Sequence, residues 1–102
     1  MKQAFLGDEI FTGNEMLTGQ VLLVENKKIA GILPSASLPS GFSVQSFPGS
    51  VITPAFLDLQ LYGAHERLLA VYPDAETVAA IHDYSLKGGA AYCMPTVATN
   101  TY

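Results

Sequence analysis

A change of pattern at Pro54 constrains the fold of this chain more than any other feature of its sequence. After Pro54 an apolar run, AFLDLQL, is followed by a helical stretch and then by a second apolar run, AAYCM. Short apolar runs on either side of a helix are typical of a βαβ unit with two buried parallel strands. One helix and two strands cannot cover both faces of a sheet, so the pattern predicts a piece of a larger structure.

The helix between the two runs has clear signals at both ends. Asp74 is a good N-cap, and Glu76 in the first turn interacts favourably with the helix dipole. Lys87 suits the last turn, and Gly88-Gly89 is expected to end the helix. The apolar residues that fall roughly on one stripe, and that we expect to be its buried face, are Val78, Ile81 and Leu86.

The first half of the chain reads as short strands separated by turns. QAFLG and EIFTG each end at a glycine, and SVQSF and SVIT are separated by Pro48-Gly49. GQVLLVENKKIAGILP predicts a β-hairpin, because Asn26 tolerates the left-handed conformation of a tight turn. SASLPSGFS, which follows it, is predicted to be a surface loop. We therefore expect a small antiparallel β-sandwich portion over residues 1–53 and an α/β portion over residues 54–102.

Composition supports an incomplete structure and excludes several classes of protein. Hydrophobic residues make up 49% of the chain and charged residues only 14%, where ordinary soluble domains have about 25% charged residues. The net charge of −4, with Lys27-Lys28 as the sole adjacent basic pair, argues against nucleic acid. The single Cys93 excludes an internal disulfide and fits a reducing compartment. With no signal-peptide core at the N-terminus and no apolar run of membrane-span length, we expect a cytoplasmic protein without a membrane partner.

Familiar catalytic motifs are incomplete in this sequence. The stretch beginning at His65 starts like a zinc-protease HExxH helix, but Leu69 stands where the second histidine belongs. The spacing of His65, His82 and Cys93 fits no metal arrangement. No phosphate loop or nucleophile elbow is present, so the residues alone define no complete catalytic site.

The stretch ITPAFLDLQLYG resembles the first barrel strand of the amidohydrolase superfamily, which follows a small β-domain. Most members of that superfamily carry His-x-His at the end of this strand, and here the two positions are Gln60 and Tyr62. A glutamine at the first position, and a glycine after the motif, are similar to the N-acetylglucosamine-6-phosphate deacetylase family. The later stretch LKGGAAYCMPTVATN resembles the segment of that family that leads into the second strand. EIFTG and ENKKIAGILP resemble its N-terminal β-domain.

The resemblance implies both a fold and a set of site residues. The fold would be mixed β and α/β, with residues 54–102 forming the first βαβ unit of an incomplete (β/α)₈ TIM barrel. Active sites of such barrels lie at the C-terminal ends of the strands. The residues expected to line the pocket are therefore Gln60, Tyr62, Thr96 and His65. Asp58 is expected to be structural and to accept backbone hydrogen bonds, and no catalytic or metal-binding residue is expected in these 102 residues.

The resemblance also implies an activity, which is deacetylation of N-acetylglucosamine 6-phosphate to glucosamine 6-phosphate and acetate. The full-length enzyme would use a divalent metal, zinc by resemblance, held by residues beyond position 102. The 102-residue chain alone is expected to bind no metal, to be inactive and to associate with itself. Two alternatives remain open. One is the N-terminal part of another amidohydrolase, of the cyclic amidase type, and the other is a non-enzymatic β-rich interaction module.

Overall fold

The computed structural model describes residues 1–99 and divides the chain into two compact units, Met1–Pro54 and a second that starts at Ala55. The first unit contains strands β1 (Lys2–Phe11), β2 (Met16–Thr18), β3 (Gln20–Glu25), β4 (Lys28–Pro34) and β5 (Ser43–Ile52), with a 3₁₀ turn at Ser35–Ser37. The second unit contains strands β6 (Phe56–Leu61), β7 (Gly63–Ala64), β8 (Arg67–Leu68) and β9 (Ala90–Pro95), and helix α1 (Ala75–Lys87). The described part of the chain is therefore mostly β, with one α-helix.

Strand β1 is the centre of the five-stranded sheet in the first unit. Ala4 pairs with Leu23 of β3 on one edge and with Val44 of β5 on the other. The β2 and β4 strands extend the sheet on the β3 side, and both pairings are antiparallel. One face of the sheet carries the core, formed by Ala4, Val21 and Leu23.

The expected antiparallel sandwich is wrong in two respects within the described residues. Strand β5 runs parallel to β1, and the five strands form one sheet. A parallel neighbour requires the chain to cross from the edge at β4 to the other edge of the sheet, and residues 35–42 make that crossing. Leu38 and Phe42 of this segment pack against the core. The predicted surface loop is therefore the layer that covers the core, in place of a second sheet.

Two glycine signals that were expected to end strands lie inside strands instead. Strand β1 continues through Gly7, and β5 continues through Gly49. The register of the pair shifts between Gly7 and Glu9, and the Asp8 carboxylate accepts a hydrogen bond of 3.0 Å from the Gly49 amide. Both glycines therefore belong to an irregularity of the β1–β5 ladder. Gly7 is closely approached by neighbouring atoms and Gly49 has positive φ, so neither glycine ends its strand.

The β3–β4 hairpin is confirmed, and its turn lies at Asn26 and Lys27, whose φ angles are +50° and +65°. The N-terminal ammonium group donates a hydrogen bond of 2.9 Å to Asn26 Oδ1. The amide of Asn26 donates in turn to the carbonyl of Met1 at 3.0 Å. The turn is therefore tied to the start of β1.

The order of strand, helix and strand is present in the second unit, where β6 and β9 pair in parallel. The ends of α1 are as predicted: Asp74 caps it by accepting from the Thr77 amide at 2.8 Å, and Gly89 follows it with φ of +91°. The predicted buried stripe is only partly right. The residues of α1 that are buried are Thr77, Ile81 and Ser85. Val78 and Leu86 are exposed, because the stripe that faces the sheet runs at i, i+4 and i+8 from Thr77.

Both strands of the parallel pair carry large apolar side chains that are exposed. These are Phe56, Leu57, Leu59, Tyr92 and Met94. Phe56 and Leu57 are neighbours on β6 and are 61% and 65% exposed, and neighbouring side chains of a strand point to opposite faces. Both faces of this small sheet therefore carry exposed apolar side chains, while α1 packs against β9. Within residues 1–99, no helix is long and apolar enough to span a membrane.

Candidate functional site

The candidate site lies where strand β6 ends, and its central feature is a pair of polar side chains. Gln60 is the penultimate residue of β6, and Tyr62 follows the strand. The two are two positions apart and therefore share one side of the strand. Gln60 Nε2 donates a hydrogen bond to Tyr62 Oη. This bond uses the nitrogen of the carboxamide and leaves its oxygen, Gln60 Oε1, as the acceptor available to a ligand.

Asp58 has the structural role that the sequence predicted. Its Oδ1 accepts a hydrogen bond of 3.1 Å from the Gln60 amide. The register between β6 and β9 shifts between Asp58 and Leu61, so the ladder does not pair this amide in the regular way. The carboxylate therefore satisfies a backbone donor at the irregularity and holds the strand just before Gln60.

Thr96 lies next to the end of β6, but its hydroxyl is already engaged. Thr96 Oγ1 donates to the Met94 carbonyl at 2.8 Å and accepts from the Leu61 amide at 3.3 Å. The Thr96 amide donates to the Leu61 carbonyl at 2.8 Å. Because a hydroxyl has one proton, Thr96 cannot donate to a ligand without breaking the bond to Met94. Thr96 therefore links the C-terminal ends of β6 and β9 by hydrogen bonds.

His65 lies in the turn of a second hairpin, formed by β7 and β8. His65 and Glu66 both have positive φ, +51° and +64°. The imidazole contacts the Tyr84 ring of α1 edge-on, with a centroid distance of 5.5 Å. His65 is thus brought against the helix, whereas Gln60, Tyr62 and Thr96 cluster at the strand ends.

Arg67 is the residue that sequence reasoning missed. Its Nη2 donates to both carboxylate oxygens of Asp74, at 3.2 and 3.0 Å, and its Nε donates to Thr77 Oγ1 at 3.0 Å. Its guanidinium lies 4.7 Å from the ring centroid of Tyr72. Hydrogen bonds from Thr77, and to a smaller extent the Arg67 guanidinium, hold the pKa of Asp74 below its usual range. No motif links Arg67 to a residue seven positions later across a loop, so the sequence carried no signal for this cluster.

The described residues do not supply a metal site. No group of three His, Cys, Asp or Glu side chains converges anywhere in residues 1–99. His82 lies beside Asp83, with Nδ1 and Oδ1 3.6 Å apart, on an exposed part of α1. A metal bound at Gln60 and Tyr62 alone would have two neutral donors that already bond to each other. These residues therefore do not fit the ligand set that a divalent metal requires.

The first unit contains an apolar recess of about 150 Å³. It is lined by Ile10, Phe11, Thr12, Leu22, Ile29, Ile32, Ile52, Thr53 and Pro54. Its only polar side chains are two threonine hydroxyls, which have neither the charge nor the basicity that hydrolysis or phosphate recognition needs. The recess is therefore not the candidate catalytic site.

Comparison with solved structures shows that the chain shares its fold with part of a deacetylase. A deacetylase from Mycobacterium smegmatis, a mutant solved in complex with N-acetyl-D-glucosamine-6-phosphate, aligns with 97% of this chain and 25% of its own at a TM-score of 0.80. Its sequence identity is 15%, so this likeness concerns the fold alone. No protein-family model matches the sequence.

Two proteins that resemble this chain in sequence are both N-acetylglucosamine-6-phosphate deacetylases. N-acetylglucosamine-6-phosphate deacetylase from Haemophilus influenzae is 27% identical over 99 residues, which are 97% of this chain and 26% of that protein. The crystal structure of N-acetylglucosamine-6-phosphate deacetylase from Pasteurella multocida has a TM-score of 0.84 and 28% identity over 93% of this chain. The resemblance seen in the sequence is therefore confirmed, and this chain spans about a quarter of the length of these relatives.

Proposed function

We propose that this chain is the N-terminal part of an enzyme that converts N-acetylglucosamine 6-phosphate to glucosamine 6-phosphate and acetate. The observation that carries the proposal is the joint likeness in sequence and fold to the Pasteurella multocida deacetylase over 93% of the chain. The Haemophilus influenzae relative supports it over a similar span. In this proposal residues 1–53 belong to a β-domain, and residues 54–102 begin a catalytic domain.

The second unit would be the first βαβ part of a (β/α)₈ barrel. The parallel pairing of β6 and β9 supports this, because barrels of this kind consist of parallel strands linked by helices. The exposed apolar side chains on both faces support it as well, since a barrel strand is covered by side chains inside and helices outside. In a barrel, Gln60, Tyr62 and Thr96 would lie at the C-terminal face, where active sites form.

The role of the described residues would be to shape one wall of the substrate pocket. Gln60 Oε1 would accept a hydrogen bond from a sugar hydroxyl, an amide N–H or a bound water, and Tyr62 would fix the carboxamide in that orientation. Thr96 would act indirectly, by joining the ends of the two strands, and His65 would shape the loop at the pocket rim. The metal of the whole enzyme, zinc by resemblance, would be held by other residues. The lone Cys93 is consistent with a cytoplasmic enzyme.

The activity is tested with the full-length protein and three acetamide or amide substrates. We expect acetate release from N-acetylglucosamine 6-phosphate, and much slower release from N-acetylglucosamine, which lacks the phosphate. Ring opening of a cyclic amide, without acetate release from the sugar phosphate, would support a cyclic amidase and would contradict the proposal. Assay of product amine and of acetate separately checks that the amide bond is the one cleaved.

The 102-residue chain by itself is expected to be inactive and to self-associate. Its open apolar strands would be covered by a second copy, because contiguous apolar patches and open sheet edges favour association. Light scattering and native mass spectrometry would detect dimers or larger species, and the acetate assay would show no turnover above a metal-free control. A stable monomer with a cooperative thermal transition would favour an independent interaction module instead.

A further inference from the structure

We propose that Arg67 is a positioning residue for the candidate site. It would hold the β7–β8 hairpin against the start of α1, so that Tyr62 in turn orients the carboxamide of Gln60. The proposal deepens the proposed function and rests on it, because it assumes that Gln60 faces the substrate. Arg67 lies outside the Gln60–Tyr62 pair, and its effect on that pair would be transmitted through the backbone of the hairpin.

The first step is the attachment of Arg67 to the helix. Its guanidinium makes three hydrogen bonds, two to the Asp74 carboxylate and one to the Thr77 hydroxyl. Thr77 is fully buried, and Asp74 is the N-cap of α1. A planar guanidinium can serve two partners at fixed angles, so Arg67 is held in one direction relative to the first turn of the helix.

The second step is the rigidity of the hairpin that carries Arg67. Ala64 pairs with Arg67, and Gly63 pairs with Leu68. A Cβ at Gly63 would lie 2.1 Å from the Arg67 carbonyl oxygen, so only glycine allows the two strands to approach this closely. The position of Arg67 therefore fixes the position of Gly63, the residue that follows Tyr62.

The third step connects the hairpin to the site. The Leu69 amide donates a hydrogen bond of 2.9 Å to the Tyr62 carbonyl and closes the hairpin at its base. The hydroxyl of the same tyrosine accepts from Gln60 Nε2. In the described part of the chain no donor reaches Gln60 Oε1, so the hydrogen bond from Nε2 to Tyr62 is what sets the direction of the carboxamide. Movement of the hairpin would shift Tyr62 and release Gln60.

The test compares variants of the full-length protein by steady-state kinetics and by hydrogen exchange of peptides that cover residues 60–70. We expect Arg67→Ala to lower kcat by between about tenfold and a hundredfold, as a misplaced substrate-facing group does. The Leu69 amide should exchange faster in this variant. Arg67→Lys should recover part of both effects, because lysine can pair with Asp74 but cannot also serve Thr77 from the same plane.

Two further variants separate positioning from general stability. Asp74→Asn keeps an N-cap side chain while it removes the nearer of the two carboxylates that pair with Arg67, since Glu76 Oε2 remains 3.7 Å from Nη2. It should therefore show the same pattern more weakly, and it can replace Arg67→Ala if that variant fails to fold. Lys2→Ala removes the surface ion pair with Glu25 in the first unit and is the matched control. It should leave kcat and the exchange of residues 60–70 unchanged.

The outcomes are distinguishable. Unchanged exchange at Leu69 in Arg67→Ala would overturn the proposal, and so would faster exchange with unchanged kcat and KM. A wild-type protein that releases no acetate from N-acetylglucosamine 6-phosphate would overturn the proposed function instead. In that case the exchange comparison still decides whether Arg67 holds the hairpin.

Discussion

Two tight hairpin turns in this molecule have nearly the same backbone and very different sequences. The turn of the β3–β4 hairpin has φ angles of +50° and +65° at Asn26 and Lys27, and that of the β7–β8 hairpin has +51° and +64° at His65 and Glu66. Asparagine is a preferred residue in such a turn, whereas histidine followed by glutamate is not. The first turn was predicted from the sequence and the second was not.

The difference lies in what stabilises each turn. The first joins strands of six and seven residues in a five-stranded sheet, so that many ladder hydrogen bonds accompany the turn. The second joins strands of two residues each. Its geometry depends on the close approach at Gly63 and on the contacts of Arg67 with α1. Contacts to a neighbouring element can therefore impose a turn that local sequence does not favour.

The largest expected effect comes from Gly63→Ala. Since a Cβ there would overlap the backbone of Arg67, the hairpin must open or shift, and we expect a loss of about 3 kcal/mol in the free energy of unfolding. Urea denaturation measures it. The control is Gly31→Ala in β4, where a Cβ meets nothing within 4 Å, and it should change stability by less than about 0.5 kcal/mol. Equal effects of the two substitutions would show that the hairpin is not tightly packed at Gly63.

A smaller effect of opposite sign is expected for Glu66→Gly. The left-handed conformation costs an ordinary residue about 1–2 kcal/mol, and glycine gives back about 0.5–1 kcal/mol through its larger unfolded-state entropy. The net result should be a stabilisation of about 0.5–1 kcal/mol, read from the same denaturation curves. Asn26→Gly should not stabilise, because asparagine tolerates the conformation and its side chain accepts from the N-terminal ammonium group. Stabilisation of both turns by the same amount would remove the contrast between them.

The smallest expected effect is a change in pH dependence for Asp74→Asn. Hydrogen bonds from Thr77, followed by the Arg67 guanidinium, lower the pKa of Asp74 in the folded state. The contribution of its ionised form is therefore present above the unfolded pKa of about 4 and is lost as pH falls through the lower folded pKa. We expect the stability difference between wild type and Asp74→Asn to shrink as pH falls from about 5 to about 2.

The control for that pH series is Asp83→Asn, which removes a carboxylate from the same helix away from its N-cap. Chemical denaturation midpoints at several pH values give the comparison. If both variants lost the same amount of pH dependence, the effect would reflect helix charge in general and not the contacts that hold the β7–β8 hairpin.

The sequence predicted the elements whose signals are local. The ends of α1 at Asp74 and Gly88-Gly89, the β3–β4 turn at Asn26 and the order of strand, helix and strand all depend on neighbouring residues. The direction of β5 and the crossing segment that places Leu38 and Phe42 on the core depend on pairing between distant parts of the chain, and periodicity does not contain that information.

The same distinction applies to the candidate site. The two-residue spacing of Gln60 and Tyr62 predicted that they share a side, and the structure joins them by a hydrogen bond. Their role in lining a pocket stays a prediction. The bond from the Leu61 amide to the Thr96 hydroxyl and the contacts of Arg67 with Asp74 required three-dimensional placement, because Leu61 lies on another strand and Asp74 lies across a loop. The resemblance placed Thr96 at the pocket without showing that its hydroxyl is engaged, and in the sequence Arg67 looks like an ordinary surface residue.

The central place of β1 in its sheet has a consequence for folding kinetics. On one edge, β1 pairs with β3, whose residues lie about twenty positions later in the chain. On the other edge it pairs with β5, where Gln3 lies opposite Ser43, forty positions later. Closing a longer loop costs more chain entropy, by about 0.6 kcal/mol for each doubling of its length. The β2 strand and the β3–β4 hairpin can form while the chain is still being synthesised, but β1 gains its partner on the other edge, β5, only after residues 43–52 have left the ribosome. Until then one edge of the first strand is unpaired, and the nascent chain has a defined interval in which it is open to association with other extended segments.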